Sequence, residues 1–494
     1  MAFAASIILL LFYFMHPQDW VPGMAGYNIV KPVIALAVLG LVTRRSDVPR
    51  WRLFRSPPEV AMLLFGAYVV YASAEPFAAF LDVGSLVCMG VLITQTLTTG
   101  RLLERYLTWW MIALIGVLWL ALLTLAGLDV TGALPLIEIM GGRFCLNTWT
   151  LNNPNAFGHT MVTLLPLAYF ILFYKRSFMS RLVAVIVMVL TVCALVPTES
   201  KGVFLAGAVG FTASMIFGRN LTVQITMALL AFGTMGSVLA MLPRMEGMKN
   251  LRADEGVVGR LMAWEQALAV ASANPTGQGY KTFFAVIPTG NEVMIKATHS
   301  SFVKIGADLG RWGMIFYAGM LVVGLRTLMQ YEGKSEPMER SRRILFALIV
   351  IFCISGWMID RAYHGELFFF LGAIGAYHHL SIQNRTARAV EGLVDEDVET
   401  PPGAAADVLP SPWLPRPIEF LSQPEGAPGA AAMTMPGGGP EVITIREFSH
   451  STAGASPAAQ RQRLWTRIGL LDVLLAWVGA QTIFWIWDYL LRSV

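Results

Sequence analysis

Arg260 and His299 lie on the polar stretch at 243–300 of an otherwise apolar chain, and their chemistries are complementary. Arginine presents a planar fork of donors that matches phosphate or pyrophosphate oxygens. Neutral imidazole accepts a proton near neutral pH, so it can deprotonate a hydroxyl. Arg260 sits in Val258-Gly259-Arg260-Leu261-Met262-Ala263-Trp264, where Arg260 to Ala271 reads as an amphipathic helix opened by Gly259. A helix start adds free backbone N–H groups, so an arginine there makes an anion site. A solvated arginine paired with Asp254 or Glu255 is the plainer alternative. His299, in Thr298-His299-Ser300, opens the helical stretch Ser300 to Leu309, where capping or packing is the competing role.

Further polar groups recur at the ends of apolar runs. Lys201, in Glu199-Ser200-Lys201-Gly202, is placed to face an anionic substrate, or else to snorkel or pair with Glu199. Asp360, Arg361, His364 and Glu366 cluster between two runs, where Arg361 is either a second phosphate ligand or an ion pair with Asp360. Asn152, Asn153 and Asn155 suit turns and caps, and His159 reads as a packed residue. Lys304, Asp308 and Arg311 share helical spacing, which places their helix in a wet cleft or at an interface, because charge is costly in lipid. Two-histidine metal spacing, a Walker loop and, outside the segment at 384–461, a D-x-D pair are missing from the sequence, which argues against a primary pump and a metal-dependent glycosyltransferase.

The elements that must position these groups are membrane helices. The chain has 494 residues, is 55% hydrophobic and only 14% charged, against about 25% charged in soluble domains. Runs such as Met111 to Ala126 and Leu221 to Leu242 approach or exceed the ~18 apolar residues that cross a bilayer. The expected fold is all-α, a polytopic transmembrane bundle of about twelve spans plus one C-terminal helix, with a long loop carrying short helices. The first span is a retained one near 2–15, the most interrupted lies near 79–98, one is expected near 156–174 and the last near 468–489. Residues 1–383 form the expected membrane body. Residues 384–461, rich in Ala, Pro and Gly, read as a disordered linker, and 462–494 as the terminal helix. The net charge of +4 and the four cysteines point to no partner and no disulfide framework.

Lysine and arginine in short loops set orientation. They fall in alternate loops, from Arg44 and Arg45 through Arg101, Arg105, Lys175, Arg176 and Arg181 to Arg340, Arg342, Arg343 and Arg385. Those loops and the N-terminus are therefore expected to be cytoplasmic. The segments 127–155, 198–202, 243–300 and 360–364 then lie outside, in a bacterium the periplasm. No ATP is available there, so a transfer reaction needs a pre-activated donor.

Thr198-Glu199-Ser200-Lys201-Gly202, Gly259-Arg260 with Trp264, Asn274-Pro275 with Gly277-Gln278-Gly279, and Thr298-His299-Ser300 leading to Gly310 and Gly313 together resemble the O-antigen ligase superfamily. That group includes O-antigen polymerases and protein O-oligosaccharyltransferases. The signature region covers about 198–330, and His16-Pro17-Gln18-Asp19-Trp20 is similar to the exosortase-associated O-glycosylation ligase branch. The resemblance implies transfer of a glycan from an undecaprenyl-pyrophosphate carrier to an acceptor hydroxyl on a lipid, polysaccharide or protein, at the periplasmic face of the inner membrane. It implies no metal, cofactor, nucleotide sugar or nucleic acid. His299 would stand by the acceptor hydroxyl and Arg260 by the donor pyrophosphate. Lys201 occupies a position where the family usually has arginine, keeping the charge but not the bidentate fork. The rival class is a polysaccharide transporter or flippase, for which charges at the bundle midplane or interrupted half-helices are expected.

Overall fold

Membrane-length apolar runs become helices because each backbone donor and acceptor must find a partner inside its own segment. The computed structural model describes residues 1–24, 27, 29–43, 53–217, 255–289, 292–330, 335–396 and 467–492, with single positions between 222 and 233. Most of the expected span at 221–242, the loop at 243–254 and most of the linker at 384–461 therefore lie outside the described residues. Among the described residues, six helices are long and apolar enough to cross a membrane: Pro76–Thr96, Gly100–Leu125, Pro154–Phe173, Phe178–Thr198, Ser301–Gln330 and Leu470–Arg492. Shorter apolar helices are Ala2–Met15, Val30–Val42, Pro57–Tyr71 and Lys201–Ile216. Glu255–Ala273, Glu336–Ser355 and Gly365–Glu396 are the other long helices among the described residues, the last running past residue 384.

The segment at 156–174 is not one regular helix. It runs as Pro154–Val162, Leu164–Ala168 and a π-helical turn at Tyr169–Phe173. Pro166 lacks the N–H that a continuous ladder requires.

The helix Ser301–Gln330 is broken at Gly310, which adopts φ 65° and ψ −161°, a region open essentially to glycine alone. A break of this kind strands carbonyls that lipid cannot satisfy. Here the carbonyls of Ala307, Asp308 and Leu309 accept from Gln278 N (3.0 Å), Gly279 N (2.7 Å) and the Tyr68 hydroxyl (3.2 Å). Asn274-Pro275-Thr276-Gly277-Gln278-Gly279 is thus a backbone plug for the kink. Gly277, at φ 71°, has no room for a side chain, since a Cβ there would lie 2.4 Å from the Asp308 carbonyl oxygen. A Cβ on Gly310 would lie 2.1 Å from the Pro275 carbonyl oxygen. Gly310→Ala is therefore expected to cost at least ~1–3 kcal/mol of backbone strain and to displace the plug. Thermal unfolding of the purified variant checks this, and an unchanged midpoint would refute it.

The polar segment is not purely helical. Ala285–Thr289 and Glu292–Lys296 form an antiparallel hairpin with Ala285 opposite Lys296 and Ile287 opposite Met294. Ala285 and Ile287 are buried while Val286 is exposed, the period-two pattern of a strand. Gly290-Asn291 between the strands is a short hairpin-turn signal that the all-α expectation overlooked.

The terminal helix Leu470–Arg492 packs along Ser301–Gln330 rather than standing apart. Asp472 is ion-paired with Arg326 near one end. Trp487 is fully buried near the other, where a Cβ on Gly306 would meet its ring at 2.7 Å. Its indole N–H donates to the Trp264 carbonyl at 3.2 Å. Trp487, Trp264, Ala263, Ala267, Phe283 and Val303 form one buried apolar cluster, so the last helix supports the helix that carries Arg260. Arginines gather at the end away from this cluster, where Glu104 pairs with Arg176 and Arg340, and Glu339 with Arg342 and Arg343.

Candidate functional site

The turn Gly356–Arg361, between helices Glu336–Ser355 and Gly365–Glu396, is the hub of the site. Ser301 N donates to the carbonyls of Gly356 (2.7 Å) and Ile359 (3.0 Å). The Ser300 hydroxyl donates to the Gly356 carbonyl (3.1 Å) and that of Ser301 to the Ile359 carbonyl (2.8 Å). Arg361 N donates to Ser301 Oγ at 2.9 Å. The flanking serines of Thr298-His299-Ser300-Ser301 thus clamp His299 to this turn. Met358 of the same turn lies against Gly202, beside Lys201. Three of the expected residues, His299, Lys201 and Arg361, therefore converge on it from three segments.

His299 adopts φ 49° in the left-handed region, which histidine tolerates better than most residues but at a cost. The preceding Thr298 carbonyl is held by the Trp264 indole N–H at 2.8 Å, which ties His299 to the helix Glu255–Ala273. Burial, then the Arg260 and Lys296 cations, hold the imidazole down to about 4. Lys296 closes against the helix because Gly259 has no side chain: a Cβ there would fall 2.0 Å from Lys296 Nζ. The cations and a neutral imidazole are thus adjacent. Lys296, which sequence reasoning did not single out, was hidden because only the hairpin brings it back beside Gly259.

One expectation about Arg260 needs correction. Its helix begins at Glu255, not Gly259, so Arg260 lies beyond the first-turn N–H groups that have no intrahelical acceptor. Positive charge here comes from a cluster of side-chain cations, not from a helix N-terminus. The alternative partner Asp254 lies outside the described residues.

A depressed histidine has a directional consequence. Above the ordinary value near 6.5 both free and folded imidazole are neutral; below it the folded site stays neutral until about pH 4. The acid limb of kcat/KM, which reports the free enzyme, is expected near pH 4. A pH–rate profile breaking at 6.5 would contradict this.

Lys201 is the first residue of the helix Lys201–Ile216. Its neighbourhood contains a second cation, Arg143, which sequence reasoning missed. Arg143 Nε donates to the Thr198 carbonyl (3.0 Å) and Nη2 to Asn155 Oδ1 (3.2 Å), and the Ser200 hydroxyl donates to the same oxygen (2.7 Å). Asn155 is thus a bridge as well as a turn residue. The signal for Arg143 was available, since an arginine in a loop class otherwise nearly free of basic residues stands out.

Arg361 is buried at 1% exposure and its guanidinium points into protein. Nη2 donates to the carbonyls of Thr150 (2.8 Å) and Ala156 (3.1 Å) and to Thr160 Oγ1 (3.2 Å). Its ionic neighbour is Glu366 (3.8 Å), whereas the pair with Asp360 is not formed. Glu366 also faces His159 Nε2 at 3.0 Å, and the opposite ring nitrogen meets the Ser355 hydroxyl. Ser355, His159, Glu366 and Arg361 are all buried. This network ties the helices Pro154–Val162, Glu336–Ser355 and Gly365–Glu396 beneath the hub, so His159 is a packed residue with an ionic partner.

A kinked helix, a backbone plug, clustered cations and a histidine at one end of an apolar bundle define a polytopic membrane protein with a cationic cluster at that end. Residues 156–318 match the O-antigen ligase family model. The match supports a place for this segment in the O-antigen ligase and polymerase superfamily. Lys201, Arg260, Lys296 and His299 fall inside the matched segment, while Arg143, Arg361 and the terminal helix fall outside it. No curated protein matches the chain.

Proposed function

We propose that this protein transfers a glycan from an undecaprenyl-pyrophosphate carrier to an acceptor hydroxyl at the periplasmic face of a bacterial inner membrane. The observation that carries the reading is the grouping of His299 with Arg260 and Lys296 inside the ligase-like segment. The acceptor oxygen attacks the anomeric carbon, forming the new glycosidic bond. The bond from that carbon to the pyrophosphate oxygen breaks, and the electron pair leaves with the carrier. His299 takes the hydroxyl proton. Arg260 and Lys296 stabilise the charge that builds on the pyrophosphate, as fixed cations do best in a partly dry site. Lys201 extends the same positive surface, and Arg361 acts as a positioning residue beneath it.

Donor and base are electrostatically coupled. Arg260 and Lys296 contribute to holding His299 unprotonated. A bound pyrophosphate offsets both cations and so raises the proton affinity of the imidazole. The base becomes stronger when the donor is in place, which limits idle protonation in the free enzyme. The acid limb of kcat is accordingly expected at higher pH than that of kcat/KM.

The transporter reading calls for half-helix ends that coordinate cargo. The Gly310 break supplies a half-helix, but its freed carbonyls are taken by Gln278, Gly279 and Tyr68. Reconstitution in proteoliposomes with an undecaprenyl-pyrophosphate glycan and lipid, polysaccharide and protein acceptors tests the proposal. The expected result is release of the carrier with covalent transfer to one acceptor. Movement of the glycan across the bilayer without a new bond would overturn it.

A further inference from the structure

His16-Pro17-Gln18-Asp19-Trp20 has no part in the transfer chemistry, yet it is built into a wall. His16 takes φ 47° and ends the first helix, and Asp19 faces its Nδ1 at 3.0 Å. Asp19 Oδ2 also accepts the backbone N–H of Trp149 at 2.7 Å, across a separation of 130 residues. Trp149 is thereby held beside two imidazoles, with His16 tilted against it at 5.5 Å and His364 stacked at 5.3 Å and 24°. Its ring nevertheless remains 60% exposed. Burial, then Arg361, holds His364 down to about 3, so the ring beneath Trp149 is uncharged.

This platform borders a cavity of about 960 Å³, lined also by Gln18, Asn147, Asn152, Tyr27 and Asp82. Two buried polar atoms at the platform, Gln18 Oε1 and His364 Nδ1, have no hydrogen-bond partner among the described residues. The cavity's lining includes Tyr363 and Gly365. Those residues continue the chain from Arg361, whose N–H holds Ser301 two residues past His299. Cavity and candidate base are thus two ends of one short turn.

We propose that this cavity is a saccharide subsite that seats an uncharged sugar ring of the acceptor against Trp149. The proposal rests on the transfer reading above. A rigid, exposed indole presents an apolar face to the C–H side of a pyranose, while amides and carboxylates around it meet the hydroxyls. Asp19 and Asp82 share the lining with Lys31, and Lys281 pairs with Asp82 at 2.9 Å, so the cavity has no excess of cations to attract an anion, which separates it from the cationic donor site. Gln18 Oε1, on the lining, gains a partner when hydroxyls enter.

The test uses the full chain in nanodiscs and a panel of neutral glucose-, galactose- and mannose-based tetrasaccharides, read by saturation-transfer NMR and tryptophan fluorescence. Binding of at least one is expected, at least tenfold weaker in Trp149→Ala and largely retained in Trp149→Phe. Asp19→Asn, which loosens the platform, is expected to weaken binding less than Trp149→Ala. Thermal unfolding controls for folding, and the exposed Trp149 can be truncated without a loss there. In transfer assays Trp149→Ala is expected to raise the acceptor KM more than it lowers kcat. Absence of binding by every saccharide, binding indifferent to Trp149, or a phospholipid tail found seated in the cavity would overturn the subsite. The two readings fail separately: Trp149-dependent binding without carrier release sinks the transfer reaction, and carrier release with Trp149-independent acceptors sinks the subsite.

Discussion

His299→Ala is expected to reduce glycan transfer by about 10²–10⁴-fold, the range for removing a positioned general base. The backbone around His299 is held by its neighbours and not by the imidazole: Ser300 and Ser301 make the clamp, and Trp264 holds Thr298. The loss should therefore fall on turnover, with insertion and thermal unfolding close to wild type. Arg260→Ala is expected to lose about 10²–10³-fold, as for one electrostatic donor to a developing charge. Arg260→Ala also removes one of the cations beside His299, so the acid limb of the residual activity should move upward toward 6.5. The double variant should lose less than the product of the two, because the groups act on one transition state. Near-normal transfer by purified His299→Ala, measured as carrier released per minute, would remove this histidine from the mechanism.

Glu366→Ala should be the most damaging substitution for stability. The carboxylate is fully buried and faces Arg361 at 3.8 Å and His159 at 3.0 Å. Its removal leaves a buried guanidinium without its counter-charge, and breaking such a pair by deleting one partner costs about 3–5 kcal/mol. The helices that meet at Ser355, His159 and Arg361 position the hub turn, so activity should fall together with stability. Glu366→Gln keeps the shape and one acceptor but not the charge, and should lie between wild type and Glu366→Ala. The check is the thermal midpoint and the monodisperse fraction after detergent extraction. If Glu366→Ala matches wild type in both, the network is not what holds the turn.

Composition and hydropathy made the helical membrane class legible, because lipid leaves a chain of this kind few ways to satisfy its backbone. Local motifs also carried the resemblance to ligases and singled out Lys201, Arg260 and His299, since arginine, lysine and histidine are conspicuous in a chain with so little charge. The hairpin was less visible: its strands are five residues each, too short for periodicity to stand out beside long apolar runs.

What the residues determined by themselves was therefore the class of the fold and the chemical types available at one end of it. Tertiary structure decided which of those groups meet. Lys296 reaches Arg260 and His299 only through the hairpin register and the missing side chain at Gly259. Arg361, a phosphate ligand by type, is turned inward because Thr150, Ala156 and Thr160 take its Nη2 donors and Glu366 supplies its counter-charge. Trp149 finds His16, Asp19 and His364 across long stretches of chain. Trp487, far beyond the ligase-like segment, completes the core under Trp264. Contacts between residues distant in sequence depend on packing and desolvation in three dimensions, and no local spacing encodes them.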